Sequence, residues 1–206
     1  MKVLLVNGSP HPDGCTHAAL QEIAHTLAQE GVETELFQLG AQLLAGCTAC
    51  GHCRTAGRCV FDDRVNAFAD LARSADGFVF GAPVHFAGVA GAMTSFMDRL
   101  FYSARGAFYL KPGACIVSAR RAGTTAALDQ FIKYLTISEM VVITSRYWNM
   151  VHGNTPEQVR QDVEGLQVMR TLARNMAWFL RCQDAARQAG VPLPERETPI
   201  ATNFIR

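Results

Sequence analysis

Four of the seven cysteines, Cys47, Cys50, Cys53 and Cys59, fall within one short run, "CTACGHCRTAGRC", with the spacing C-x2-C-x2-C-x5-C. Thiols gathered this closely serve as zinc ligands, disulfides, a redox relay or the thiolates of an iron–sulfur cluster. Disulfide frameworks belong mainly to small secreted domains that cannot build a core. This chain has 206 residues, is 49% apolar and carries an odd number of cysteines. Zinc commonly takes paired C-x2-C knuckles set well apart. Here three cysteines recur every third residue and the fourth follows after five more, a compact wrap. Gly46, Gly51 and Gly57 give the run the freedom to curl. His52 lies inside it and reads as a solvent-facing residue rather than a ligand.

A second concentration of chemistry is "NGSPHPDGCTHAAL", which follows the apolar run "KVLLV". Ser9 and Thr16 offer hydroxyls, Gly8 and Gly14 loosen the backbone, and a helix opens near Thr16. Free N–H groups at a helix N-terminus, joined to hydroxyls on a tight loop, suit a phosphate dianion. The same composition also describes an ordinary β–α turn. The pattern G-x-x-x-x-G-K-[ST] is missing, as is G-x-G-x-x-G, which sets aside nucleoside-triphosphate and dinucleotide loops. A terminal monophosphate such as that of FMN remains. Cys15, at the start of the helix, is either an activated thiol or a small filler beside bound phosphate.

Three further segments carry reactive or aromatic side chains. "APVHFAGVAGAM" presents Pro83, Val84, His85, Phe86 and Gly88, where a flat ring could approach the backbone. "SARRAGTT" presents Ala119, Arg120, Arg121 and Gly123. One of its arginines could stabilise an anionic reduced flavin; otherwise both are solvated at a helix entry, with Thr124 or Thr125 as its cap. "YWNMVHG" presents Trp148, Asn149 and His152 as a pocket frame, with buried packing as the alternative for Trp148. His85, Arg120 and His152 are the catalytic candidates. Neither a Ser/His/Asp triad nor an H-E-x-x-H zinc motif is present, so the difficult chemistry falls to cofactors.

The elements that must position these loops are short apolar runs alternating with segments of helical period. Strands are expected at 2–6, 32–39, 77–83, 114–118 and 140–145. Helices are expected around Leu20–Leu27, at 62–75, through Met93–Phe101 and Leu128–Leu135, and continuously from Pro156 to about Gln188. Such alternation gives an α/β fold with a parallel sheet and helices on both faces, and ligands bind beyond the carboxyl ends of its strands. The expectation is one domain over 1–206, with a cysteine-rich insertion at 46–60 and an extended tail at 190–206. No apolar run approaches the ~20 residues of a membrane span, and no secretory signal is read before the first loop. A formal net charge of +1 without a basic run gives no footprint for nucleic acid. A cytoplasmic protein with reduced thiols is expected.

The segments "VNGSPHPDGCT", "GAPVHFAGVAGAMTSFMDR", "KPGACIVSARRAGTT" and "YWNMVHG", with Asp62-Asp63 and the closing "TNFIR", resemble the NAD(P)H-dependent FMN reductases of the flavodoxin-like superfamily. The cysteine run is similar to that of their iron–sulfur flavoprotein branch. The resemblance implies a doubly wound five-stranded sheet of order 2-1-3-4-5, with FMN at the strand ends. Carried onto this chain, it assigns FMN contacts to Ser9, His11, Gly14, Cys15 and Thr16, to the 83–88 loop and to residues 119–123. Relatives usually carry Asn at position 15, often Arg or Lys at 11, and Tyr at 85.

The resemblance also implies that Cys47, Cys50, Cys53 and Cys59 hold one [4Fe–4S] cluster. The bacterial ferredoxin run, by contrast, sends its fourth cysteine elsewhere and follows it with Pro, where Val60 stands here. It implies a homodimer or homotetramer, for which Met169, Met176, Phe179 and the tail through Phe204 are candidate contacts. The expected function is electron transfer between NAD(P)H or a ferredoxin-like donor and a small acceptor such as a quinone. The alternatives are a plain NAD(P)H-dependent FMN or quinone reductase without a cluster, and a flavodoxin-like electron carrier.

Overall fold

The computed structural model describes residues 1–202 and 204. Asn203, Ile205 and Arg206, part of the "TNFIR" segment, lie outside the described residues.

Strand β1 (Lys2–Asn7) is central because it is apolar on both faces. It pairs in parallel with β2 (Glu33–Gln38) on one side and β3 (Gly77–His85) on the other. β3 pairs in parallel with β5 (Pro112–Ala119). Between them, β4 (Gly88–Val89) folds back antiparallel onto the end of β3. The core order β2-β1-β3-β5-β6 is the expected 2-1-3-4-5 once the β4 hairpin is set aside.

The fifth position differs from expectation. The run at 140–145 forms only β6 (Val141–Val142). The chain then leaves the sheet and returns as β7 (Met150–His152), again parallel to β5. An edge position tolerates this break, because its outer N–H and C=O groups need no ladder partner. The excursion is tied down by Ser145 Oγ, which donates to Val168 O at 2.7 Å, and Asn175 Nδ2, which donates to Thr144 O at 2.8 Å. "YWNMVHG" therefore does not leave strand five: its end is the second half of that strand.

Alternation along the strands divides the core. Leu4, Val6, Phe78 and Phe80 face helices α3 (Arg64–Ser74), α4 (Gly91–Ser103) and α5 (Thr124–Ile137). Val3, Leu5 and Val79 face α1 (Cys15–Gln29), α6 (Pro156–Gln161) and α7 (Val163–Gln188). The first face is a phenylalanine cluster, with Phe68 edge-on to Phe37, Phe78, Phe80 and Phe96. Such pairs add about 0.5–1.5 kcal/mol each beyond simple burial.

The final helix is not continuous. It breaks at Asp162, whose carboxylate accepts from Gly165 N at 2.9 Å to cap α7 and from His152 N at 2.7 Å to hold β7. Two expected subunit contacts also prove to be core: Met169 and Met176 are fully buried beneath α7, and Phe179 packs partly against the same cluster. The large apolar side chains that α7 does expose are Val163 and Trp178. Among the described residues, no helix is long and apolar enough to cross a membrane.

Candidate functional site

The loop after β1 is stitched by its own side chains. Buried Asn7 donates through Nδ2 to Gln38 Oε1 at 2.6 Å and accepts from Ser9 N at 3.1 Å. Gln38 Nε2 donates to Ser9 O at 2.7 Å, and Ser9 Oγ accepts from His11 N at 3.1 Å. α1 then opens at Gly14 with no side-chain cap, leaving first-turn N–H groups free for an anion. His11 is exposed above this turn.

Thr16 has a partner on the sheet. Its hydroxyl is buried 2.8 Å from Ser118 Oγ, which ties the start of α1 to β5. Cys15 is half-buried and donates to Gly153 O at 3.6 Å. Burial pushes its thiol pKa up, its own backbone N–H opposes the rise, and Glu157 adds a smaller push upward.

The β3–β4 hairpin stands beside this loop. His85 pairs with Gly88, and the two-residue turn between them puts Phe86 at φ +51° and Ala87 at φ +59°. Such a turn ordinarily takes Asn-Gly, so a Phe-Ala tip is strained backbone. Phe86 is fully exposed there. Pro83 and Val84 are half-buried at the base. Gly123, at φ +87°, packs under the tip: a β-carbon on it would lie 2.8 Å from Ala87 Cα. Gly123 also begins α5, so neither Thr124 nor Thr125 caps that helix. Ala119 is half-buried, while Arg120 and Arg121 are exposed. His152 is placed by Asp162, its Nδ1 3.9 Å from Oδ2, beside the exposed Tyr147–Trp148 pair. The β1, β3, β5 and β7 loops thus meet at one end of the sheet.

The four clustered cysteines form a separate site. Together with Phe61, Arg99, Tyr102 and Ser103 they line one cavity of about 310 Å³. Cys53 sits on α2 (His52–Ala56), a single turn bounded by left-handed Gly51 and Gly57. Cys47 and Cys50 are exposed, whereas Cys53 and Cys59 are half-buried; all seven cysteines of the chain carry free thiols. Among the described residues, no three His, Cys, Asp or Glu side chains converge tightly enough to grip a single metal ion. Four thiols lining one cavity are a donor set that suits an iron–sulfur cluster.

Cys59 is the fixed member. Asn66, buried on α3, accepts from Cys59 N at 3.0 Å and donates to Cys59 O at 3.0 Å and Phe61 O at 3.2 Å. Its sulfur accepts from Arg99 Nε at 3.2 Å. Arg99 lies on the buried stripe of α4, only 2% exposed. Its other N–H groups go to Asp63 Oδ2 and Oδ1, at 2.8 and 2.9 Å, and to Ala45 O and Phe61 O, each at 3.2 Å. All five guanidinium donors are thereby satisfied. Burial works against the charge, but Asp63 and Cys59 outweigh it and raise the Arg99 pKa. The sequence reading gave no role to Arg99, Asn66, Asn7, Gln38 or Ser118. The one local signal was a charge, Arg99, at helical spacing between Phe96 and Ser103.

Comparison with known proteins agrees with this geometry. The sequence pattern of the family "NADPH-dependent FMN reductase" matches residues 1–155. An iron–sulfur flavoprotein of Methanocaldococcus jannaschii is 32% identical over 186 residues, covering 86% of this chain and 96% of that protein. A flavone reductase structure superposes with a TM-score of 0.70 at 19% identity, over 90% of this chain and 65% of that one. An archaeal flavodoxin superposes with a TM-score of 0.59 at 15% identity, over 88% of this chain and 99% of that one. The fold is flavodoxin-like, and the chain belongs to the NADPH-dependent FMN reductase family, beside the iron–sulfur flavoproteins, as a flavin-dependent oxidoreductase.

Proposed function

We propose that the protein holds FMN at the strand ends and a [4Fe–4S] cluster on Cys47, Cys50, Cys53 and Cys59. With these it passes electrons from NAD(P)H or a ferredoxin-like donor to a small acceptor such as a quinone. The observation that carries this reading is that all four thiols of the run line one cavity.

For FMN, the uncapped turn of α1 offers N–H groups to the phosphate, and Ser9 holds the loop that presents them. The strained Phe86 tip borders the ring, and Arg120 or Arg121 supplies positive charge beside it. His152, held by Asp162, stands where it can exchange a proton with a bound acceptor. When bound, the flavin accepts electron pairs and the cluster moves electrons singly, so together they join two-electron and one-electron partners. We assign the working unit to a homo-oligomer, for which the exposed Trp178 and Val163 on α7 offer apolar contact.

The test is anaerobic purification with iron, sulfide and flavin analysis, followed by NAD(P)H oxidation with a soluble quinone. About four irons and four sulfides per chain, one FMN and steady turnover are expected. One zinc without sulfide would replace this reading with the plain reductase. Flavin and cluster without turnover would leave a carrier.

A further inference from the structure

We propose that Arg99 is the positioning residue of the cysteine site, and that its Nε–H···Sγ bond to Cys59 sets the reduction potential of the cluster held there. The inference rests on the cluster reading above. It begins from the cost of burying a guanidinium: an arginine 2% exposed survives inside a protein only when its donors are matched and its charge is balanced. Arg99 meets both conditions with atoms of the cysteine site. Ala45 O lies just before the cysteine run, Phe61 O just after it, and Cys59 Sγ is a thiol of it. Asp63, the cap of α3, balances the charge through a two-pronged pair. One side chain therefore closes both ends of the loop and fixes one sulfur.

Arg99 packs its plane over Phe61, with the guanidinium carbon 5.0 Å from the ring centroid. The potentials of such clusters follow net charge, hydrogen bonds to the sulfurs and solvent exposure, and groups beyond the ligands tune a metal site in general. A hydrogen bond and a positive charge at a thiolate both favour the more negative, reduced cluster. The carboxylate of Asp63 opposes that bias by offsetting the charge of Arg99.

Two substitutions then move the potential in opposite directions. Arg99→Lys keeps a charge but lacks a fork that can reach Cys59, Asp63 and both carbonyls, so the potential should fall. Asp63→Asn keeps a side chain able to accept from Val65 N and cap α3. It removes the balancing charge, so the potential should rise. Midpoints are read by electron paramagnetic resonance in anaerobic dithionite titrations of wild type and both variants, each first analysed for iron, sulfide and FMN.

Opposite shifts support the inference, since a residue that merely props the loop has no reason to produce them. Should Arg99→Lys fail to fold, a rise in Asp63→Asn still supports it, and an unchanged or lower midpoint overturns it. A wild-type cluster whose midpoint is the same in both variants overturns the role of Arg99 alone. Wild-type protein without iron and sulfide overturns the cluster reading and this inference together.

Discussion

Replacing Asn66 with Ala tests whether the cysteine loop is built from α3 outward. The Asn66 side chain makes three hydrogen bonds to the backbone of Cys59 and Phe61, at 3.0, 3.0 and 3.2 Å, and is 3% exposed. At ~0.5–1.5 kcal/mol per bond, their loss amounts to about 1.5–4.5 kcal/mol. Ala is the better helix former and returns roughly 0.5 kcal/mol, leaving a net cost of about 1–4 kcal/mol. For a chain of this length that is a fall in Tm of roughly 2–16 °C. Urea denaturation measures the global share, and limited proteolysis around residues 46–61 catches any share released as local opening. Asn66→Asp is the sharper control. It still accepts from Cys59 N but turns a carboxylate toward two carbonyl oxygens. Its charged form is disfavoured in the fold, which raises the folded pKa, so its deficit relative to Asn66→Ala grows as pH rises above about 4. A loss below ~0.5 kcal/mol for Asn66→Ala, with the loop no easier to cleave, would refute the anchoring argument.

Gly123→Ala forces a left-handed residue against Ala87. It should cost at least ~1 kcal/mol in urea denaturation and weaken FMN binding in flavin titrations of the apoprotein by displacing the hairpin. In native protein at neutral pH, iodoacetamide followed by mass spectrometry should label exposed Cys182 ahead of the other two cysteines outside the run. Cys15, whose pKa is raised, should react slowly, and Cys115, buried and raised further, only on unfolding. Cys53→Ala should lose iron while retaining FMN, whereas Cys115→Ala and Cys182→Ser should keep both; iron and flavin assays on the same samples decide.

Much of this was legible because it is local. "KVLLV" reads as a buried strand, and the phenylalanines of "GFVFGAP" alternate onto one face as the period of two demands. The strand-end loops announced themselves through Gly, Pro and hydroxyl residues. What stayed hidden depends on distant partners. Thr16 gave no sign of facing Ser118, which is 102 positions away. The run at 140–145 is apolar enough for a strand, but how far it pairs depends on its edge position and on anchors from α7. Arg99 reads as one more charged residue on a helix; its five acceptors come from residues 45, 59, 61 and 63, which only the fold assembles.

α4 is the element that relates the two sites. It starts at Gly91, directly after the β4 hairpin, and Arg99 follows eight residues later, about 12 Å along the axis. Near its start, Met93 closes on the loop after β1, since a β-carbon at Gly8 would lie 2.7 Å from Met93 Sδ. Farther on, Ser95 approaches the head of the cysteine run, 3.9 Å from where a Gly46 β-carbon would sit. Arg99, Tyr102 and Ser103 then line the cysteine cavity. One largely buried helix therefore holds the strand-end loops and the cysteine run in a common frame, although the two share no residues.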